Sequence, residues 1–194
     1  MKRSRAVFLD RDGVLIEDVN LVQNERDIHI LPGVPEALRL LKSAGFLLIT
    51  ISNQTVIARG ILNEQGVESL NGIIEDSLIQ AGAPRLNGFY YCPHHPNANL
   101  EAYRVDCDCR KPKPGLILKA ARDHDVSLDD CIMIGDRITD IIAGAAAGCR
   151  TILVKTGMHK EPPIQTSMPL DMSVKPNFTC RDLLEAARWI LEGE

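Results

Sequence analysis

Two aspartates set two residues apart at the end of a short apolar run, Phe8-Leu9-Asp10-Arg11-Asp12-Gly13, are the first residues able to do chemistry. Alternate residues of an extended chain project the same way, so Asp10 and Asp12 can face one site, and Gly13 permits a sharp turn behind them. Two close carboxylates repel, and a cation is the usual remedy; an acidic Asp-Gly turn that merely ends a strand is the plain alternative. A second run ends Ser52-Asn53-Gln54-Thr55, whose hydroxyls, amides and backbone N–H groups suit a phosphate, or equally a capped loop. A third place, Arg110-Lys111-Pro112-Lys113-Pro114-Gly115, is expected to be held extended by its prolines; Lys111 could deliver a compact positive charge to an anion, or the stretch could be a solvated basic loop. The fourth, Gly135-Asp136-Arg137-Ile138-Thr139-Asp140, suggests a metal-ligating corner, with Asp140 as a favourable acid in a first helical turn as the simpler reading.

These residues need a scaffold that brings distant positions to one edge. Short apolar runs at 6–10, 46–52, 88–92, 131–135 and 151–155 alternate with helical patterns at 35–44, 63–81, 114–123, 138–147 and 181–192, with Thr179 as a plausible cap for the last. Val67, Leu70, Ile74 and Leu78 recur at spacings of three and four, giving an apolar stripe to lie on a sheet. The runs 46–51 and 131–134 are apolar throughout, as strands covered on both faces are. An α/β chain of one domain spanning 1–194 is predicted, a Rossmann-like three-layer α/β/α sandwich with a mainly parallel central sheet. Ligands of such sheets bind beyond the carboxyl ends of the strands, where all four signals fall. The stretches 92–113 and 158–177 fit neither pattern; the second reads as a surface loop.

Each signal alone is weak, but the order Asp-x-Asp, Ser, Lys-Pro, Gly-Asp-x-x-x-Asp along one sheet edge is specific. The chain resembles the haloacid-dehalogenase superfamily of phosphotransferases, whose motifs are these. The resemblance implies that Asp10 is the nucleophile that forms an aspartyl phosphate, that Asp12 is the general acid and base, and that Ser52 and Lys111 hold the transferring phosphoryl oxygens. It further implies Mg²⁺ bridging Asp10, Asp136 and the main-chain carbonyl of Asp12. The chemistry is coherent, because a phosphate monoester is dianionic and slow to hydrolyse, so charge must be neutralised and a nucleophile supplied in line.

Cys92-Pro93-His94 and Cys107-Asp108-Cys109 supply three thiolates and an imidazole, a tetrahedral Zn²⁺ set with no open position, so a structural ion pinning the loop 92–110 is expected. His95 is the competing imidazole, and three free thiols beside a surface histidine are the alternative. Cys131, Cys149 and Cys180 read as small buried hydrophobes, and His29, His124 and His159 as ordinary histidines.

With the zinc loop included, the motifs are similar to those of the D-glycero-D-manno-heptose-1,7-bisphosphate 7-phosphatase family, over about 7–189. The resemblance implies release of the 7-phosphate in nucleotide-activated heptose synthesis, although histidinol-phosphate phosphatases share the loop. The intervals 12–52 and 52–111 already hold sheet-covering elements and leave no space for a cap domain, so substrate choice falls to loops. Arg110 is the candidate for a second anionic group, since a guanidinium can grip phosphate bidentately. Asp18, Asn53, Gln54, Thr55 and Arg137 are the other candidate substrate contacts. Asp18-Val19-Asn20-Leu21-Val22 and Asn53-Gln54-Thr55-Val56 depart from the usual Asp-His-Gly-Tyr-Val and Asn-Gln-Ser-Gly, and Arg137 replaces a frequent lysine. Arg137 is expected either to meet substrate beside the metal or to be solvated.

Composition bounds the rest. The 194 residues carry 22 Lys and Arg against 26 Asp and Glu, a net charge of −4, and 4% aromatics, the opposite of a nucleic-acid surface. Neither Gly-x-Gly-x-x-Gly after a strand nor a Gly-x-x-x-x-Gly-Lys-Ser/Thr loop occurs. The basic start is followed by an apolar run far too short for a signal sequence, so a cytoplasmic monomer acting on a small phosphorylated sugar, with no membrane or nucleic-acid partner, is expected. A phospho-receiver domain, which also joins an Asp pair, Ser/Thr, Lys and Mg²⁺, is the non-catalytic alternative.

Overall fold

The alternation of apolar runs and helical stripes resolves into one six-stranded sheet. The computed structural model describes residues 4–157 and 170–193. Its strands are β1 (Arg5–Leu9), β2 (Phe46–Asn53), β3 (Gly88–Cys92), β4 (Ile132–Gly135), β5 (Arg150–Val154) and β6 (Phe178–Cys180), ordered β3-β2-β1-β4-β5-β6 with every pairing parallel. Helices α1 (Val34–Ser43), α2 (Thr55–Ala58), α3 (Glu64–Gln80), α4 (Gly115–Asp123), α5 (Ile138–Ala147) and α6 (Leu183–Glu192) complete it.

Side chains alternate across β1: Val7 and Leu9 join α1, α3 and α6 in one core, whereas Ala6 and Phe8 join α4 and α5 in the other. The sheet is therefore the middle of three layers, as its unbroken apolar strands require. Each fully buried aliphatic side chain of these cores contributes about 1.5–3 kcal/mol relative to exposure. Helix α3 begins where Asn63 accepts the Gly66 N–H at 2.8 Å, and it buries Val67, Leu70, Ile74 and Leu78 as one stripe. Asn71 lies in the same buried stripe, a polar residue where an apolar one is the norm.

Two local expectations are corrected. Thr179 lies within β6 and caps nothing; Asp182 caps α6, its carboxylate accepting the Glu185 N–H at 2.8 Å. Strand β6 itself has only three residues and no alternating pattern to announce it. The Lys111–Pro112 stretch is a turn with a cis peptide rather than an extended segment. The surface loop expected at 158–177 falls outside the described residues over 158–169.

Candidate active site

Because all strands run parallel, the ends of β1, β2 and β4 meet at one edge, and the loop after β3 closes over it. Asp10 follows β1 directly and Asp136 follows β4; Ser52 and Asn53 are the last residues of β2. Lys111 enters from the far end of the β3–α4 connection, its ammonium 3% exposed, 2.9 Å from Asp10 Oδ1 and 2.6 Å from Asp140 Oδ1. It also donates to the Ile51 carbonyl at 2.7 Å, which fixes it to the neighbouring strand. Asp140 has two tasks: its other oxygen accepts the Arg137 N–H at 2.9 Å, capping α5. The first-turn acid and the site residue are the same side chain.

Asp10, Asp136 and Asp140 are all buried and bring carboxylate oxygens within 4.8 Å of one another. Burial holds Asp10 well above the usual carboxylate range, and the charges of Asp140, Asp136 and Asp12 push the same way against the pull of Lys111. Burial alone would lower the Lys111 ammonium, but Asp10 and Asp140 carry it above the ordinary lysine value. Three carboxylates and one ammonium leave an excess of negative charge, and a buried, all-oxygen donor set of this kind suits a hard divalent cation. Gly13 keeps room for it: its φ is +83°, and a Cβ there would stand 2.6 Å from Asp136 Oδ2.

Asp12 behaves differently from its neighbour. Its carboxylate is not part of that cluster; it is held by Arg11, whose Nε and Nη2 donate to Oδ1 at 3.2 and 3.0 Å while Nη2 also reaches Oδ2 at 3.1 Å. Gln54 Nε2 donates to Asp12 Oδ2 at 3.0 Å and to Ser52 Oγ at 2.6 Å, so the candidate acid and the candidate phosphate-holding hydroxyl share one amide.

The candidate substrate contacts separate into groups. Asn53 spends both ends of its amide on the Lys111 backbone, at 3.1 Å each way, and Gln54 is buried among Arg11, Asp12 and Ser52, so these two organise the site from within. Thr55 opens α2 half-buried. Arg137, expected to meet substrate or solvent, instead pairs with Asp18 at 3.0 Å, and Asp18 uses its other oxygen on the Asn20 N–H at 2.7 Å. Arg110 donates to the His94 carbonyl at 2.9 Å and lies half-buried against the cysteine loop.

Cys92, His94, Cys107 and Cys109 converge with their ligand atoms within 4.8 Å. Cys109 Sγ lies 3.1 Å from Cys92 Sγ and 3.0 Å from Cys107 Sγ, and 3.4 Å from His94 Nδ1. These separations are too long for a disulfide, whose S–S bond is about 2.05 Å. They approach the roughly 3.8 Å edge of a tetrahedron with Zn–S bonds of about 2.3 Å, so three sulfurs and one nitrogen fit a closed site. The hydrogen bond shared with Cys92 pulls the Cys109 thiol down to about 5, the direction that favours a metal-binding thiolate. The imidazole in this set is His94; His95 is buried beside it with Nδ1 accepting the Asn97 N–H at 3.0 Å. The loop is joined to the site at its base, where the Cys92 carbonyl accepts the Gln54 N–H at 2.8 Å, and at its end, where Cys109 precedes Lys111 by two residues.

Arg11 was not among the residues singled out from sequence, although Asn71 in the α3 stripe is its signal: Arg11 Nη1 donates to Asn71 Oδ1 at 3.0 Å. Among the described residues no helix is long and apolar enough to cross a membrane.

Comparison with known proteins agrees with this arrangement. The HAD-hydrolase-like family model matches residues 108–186. The D-glycero-beta-D-manno-heptose-1,7-bisphosphate 7-phosphatase of Photorhabdus laumondii is 43% identical over 153 residues, covering 78% of this chain and 81% of the relative. The enzyme of the same name from Escherichia coli K12 is 39% identical over 163 residues, covering 84% and 85%. Among solved structures, the D,D-heptose 1,7-bisphosphate phosphatase of B. bronchiseptica, complexed with magnesium and phosphate, superposes with a TM-score of 0.81 at 30% identity, covering 98% of this chain and 99% of the other.

Proposed function

The chain belongs to the heptose-bisphosphate phosphatase family of the haloacid-dehalogenase-like hydrolases, and from that premise we propose that it removes the 7-phosphate of D-glycero-D-manno-heptose 1,7-bisphosphate, acting as a capless, cytoplasmic monomer. It is a phosphomonoester hydrolase. The observation that carries the reading is the meeting of Asp10, Lys111 and Asp140 within hydrogen-bonding range, with Ser52 and Asp12 joined through Gln54 beside them.

In this reading Asp10 attacks phosphorus and forms an aspartyl phosphate as the bond to the sugar oxygen breaks. Asp12 gives its proton to that oxygen, so the product leaves as an alcohol rather than an alkoxide. Asp12, now a carboxylate, takes a proton from the water that attacks the acyl phosphate, and inorganic phosphate departs with Asp10 regenerated. Ser52 and Lys111 hold the phosphoryl oxygens throughout. Asp10 and Asp136, with the main-chain carbonyl of Asp12, would hold a magnesium ion, which when bound would neutralise the charge that the carboxylates and a phosphate otherwise accumulate. Cys92, His94, Cys107 and Cys109 would hold a structural zinc that ties their loop, and that loop carries Lys111 and Arg110 to the site, Arg110 toward the second phosphate. Arg137, paired with Asp18, pins the loop that follows β1 to the N-terminus of α5.

The test is a comparison of kcat/KM, in Mg²⁺, for both anomers of the heptose bisphosphate and for histidinol phosphate. A marked preference for the bisphosphate, with one anomer ahead, is expected. Preference for histidinol phosphate overturns the substrate assignment, and a stable phosphoprotein that transfers nothing to water overturns the hydrolytic one.

A further inference from the structure

Arg11 is the largest fully buried side chain among the described residues, at 1% exposure, and no step of the reaction above uses it. Taking a guanidinium out of water is costly and is sustained only when its N–H groups are well matched. Here they are matched to the site itself. Its Nε and Nη2 lie along the two oxygens of Asp12 in a side-on fork, Nη2 donates to Gln54 Oε1 at 2.8 Å, and Nη1 is anchored on Asn71 in the middle of α3. Gln54 closes the circuit by donating to both Asp12 and Ser52. Neighbouring residues in an extended chain face opposite ways, so this i, i+1 chelate exists only because the backbone bends immediately after Asp10.

We propose that Arg11 is a positioning residue for proton transfer: with Gln54 it fixes the Asp12 carboxylate beside Ser52 and keeps it out of the Asp10–Asp136–Asp140 cluster. The inference rests on the phosphatase reading and sharpens it. Asp10 and Asp12 are chemically identical groups two residues apart that must do different work, and a difference of surroundings is what separates such roles. An unrestrained Asp12 would be drawn toward a cation held by its neighbours, where its oxygens could no longer reach a leaving group. Arg11 supplies a competing, directional partner. A lysine could not replace it, because an ammonium is a point charge that cannot grip both oxygens and an amide in one plane.

The test uses the Mg²⁺-loaded full chain and two esters that differ in their need for an acid. Dinitrophenolate leaves without a proton, whereas a sugar alkoxide needs one, and kcat/KM reads only events through the first transfer. For Arg11→Lys, kcat/KM on the sugar bisphosphate is expected to fall by about 10²–10³-fold, the typical worth of a placed acid. On 2,4-dinitrophenyl phosphate it is expected to fall by no more than about threefold. A burst of dinitrophenol should also appear, because hydrolysis of the aspartyl phosphate needs Asp12 as base. Equal losses on the two esters, or no loss on the sugar phosphate, overturn the inference. If Arg11→Lys does not fold by circular dichroism, Asn71→Leu, which removes only the α3 anchor of Arg11 Nη1, is read with the same pair, and the same asymmetry, at about threefold or more, is required. A wild-type protein that releases phosphate from neither ester overturns the phosphatase reading itself and the inference with it.

Discussion

Replacing Lys111 with Met removes a cation that the fold has enclosed among anions, and its cost can be worked out from the contacts. The ammonium is 3% exposed and lies 2.9 and 2.6 Å from Asp10 and Asp140, with the Ile51 carbonyl at 2.7 Å. Methionine fills much the same volume, so packing changes little, and the loss is electrostatic: two buried carboxylates are left facing each other. Removing one partner of a buried pair costs about 3–5 kcal/mol. For a chain of this size each kcal/mol lowers Tm by roughly 2–4 °C, so a fall of about 6–20 °C is expected by circular dichroism in protein dialysed free of Mg²⁺ without a chelator, its cysteine loop left intact. Added Mg²⁺ should recover more stability in Lys111→Met than in the wild type, because a cation that binds only the folded state stabilises it by mass action and the variant's carboxylates are less compensated. Phosphate release should fall by about 10²–10³-fold, the usual loss for one charged donor to a transferring group. A variant with unchanged Tm and an undiminished Mg²⁺-dependent rate would refute the placement of Lys111 among these acids. A variant that lost stability but kept its rate would refute its role toward the phosphoryl group alone.

Asp10→Asn should abolish phosphate release while leaving the circular dichroism spectrum intact, because the amide keeps the shape and loses the nucleophile; a wild-type rate would contradict covalent catalysis at this position. Withdrawing zinc from the holoprotein with a chelator should lower Tm and raise KM together, since Lys111 follows Cys109 by two residues, and metal analysis alongside kinetics would check it; unchanged KM in zinc-free protein would separate loop from site. Gly13→Ala should cost about 1–2 kcal/mol from the left-handed backbone alone, and the side chain pressing on Asp136 Oδ2 should raise the Mg²⁺ concentration needed for half-maximal activity.

Much of this architecture was legible because it is written in local patterns. The strands β1, β2, β4 and β5 follow from short apolar runs and the stripe of α3 from its spacing of three and four, and the polar residues closing the strands marked the site edge. Cys92, His94, Cys107 and Cys109 were readable because soft ligands in that number have few other uses in one loop. What escaped depended on contacts between distant segments. Arg11 looked like a spacer between two aspartates until the bend after β1 turned it toward Asn71, sixty residues away. Arg137 and Asp18 each looked available to substrate, and only the fold pairs them. Strand β6 has too few residues to carry a period, and it exists because β5 offers it an edge.

The chain has a single tryptophan, Trp189, on α6, stacked on Phe178 of β6 with ring centroids 4.6 Å apart and planes within 4°. Strands β4 and β5 separate that pair from β1 and the acids behind it. Tryptophan emission, excited apart from the tyrosines, therefore watches the outer margin of the sheet rather than its catalytic edge. Refolding followed by emission should report docking of α6, whereas on the proposed mechanism regained turnover requires residues 10, 52, 111 and 136 to have come together, so the two clocks need not agree.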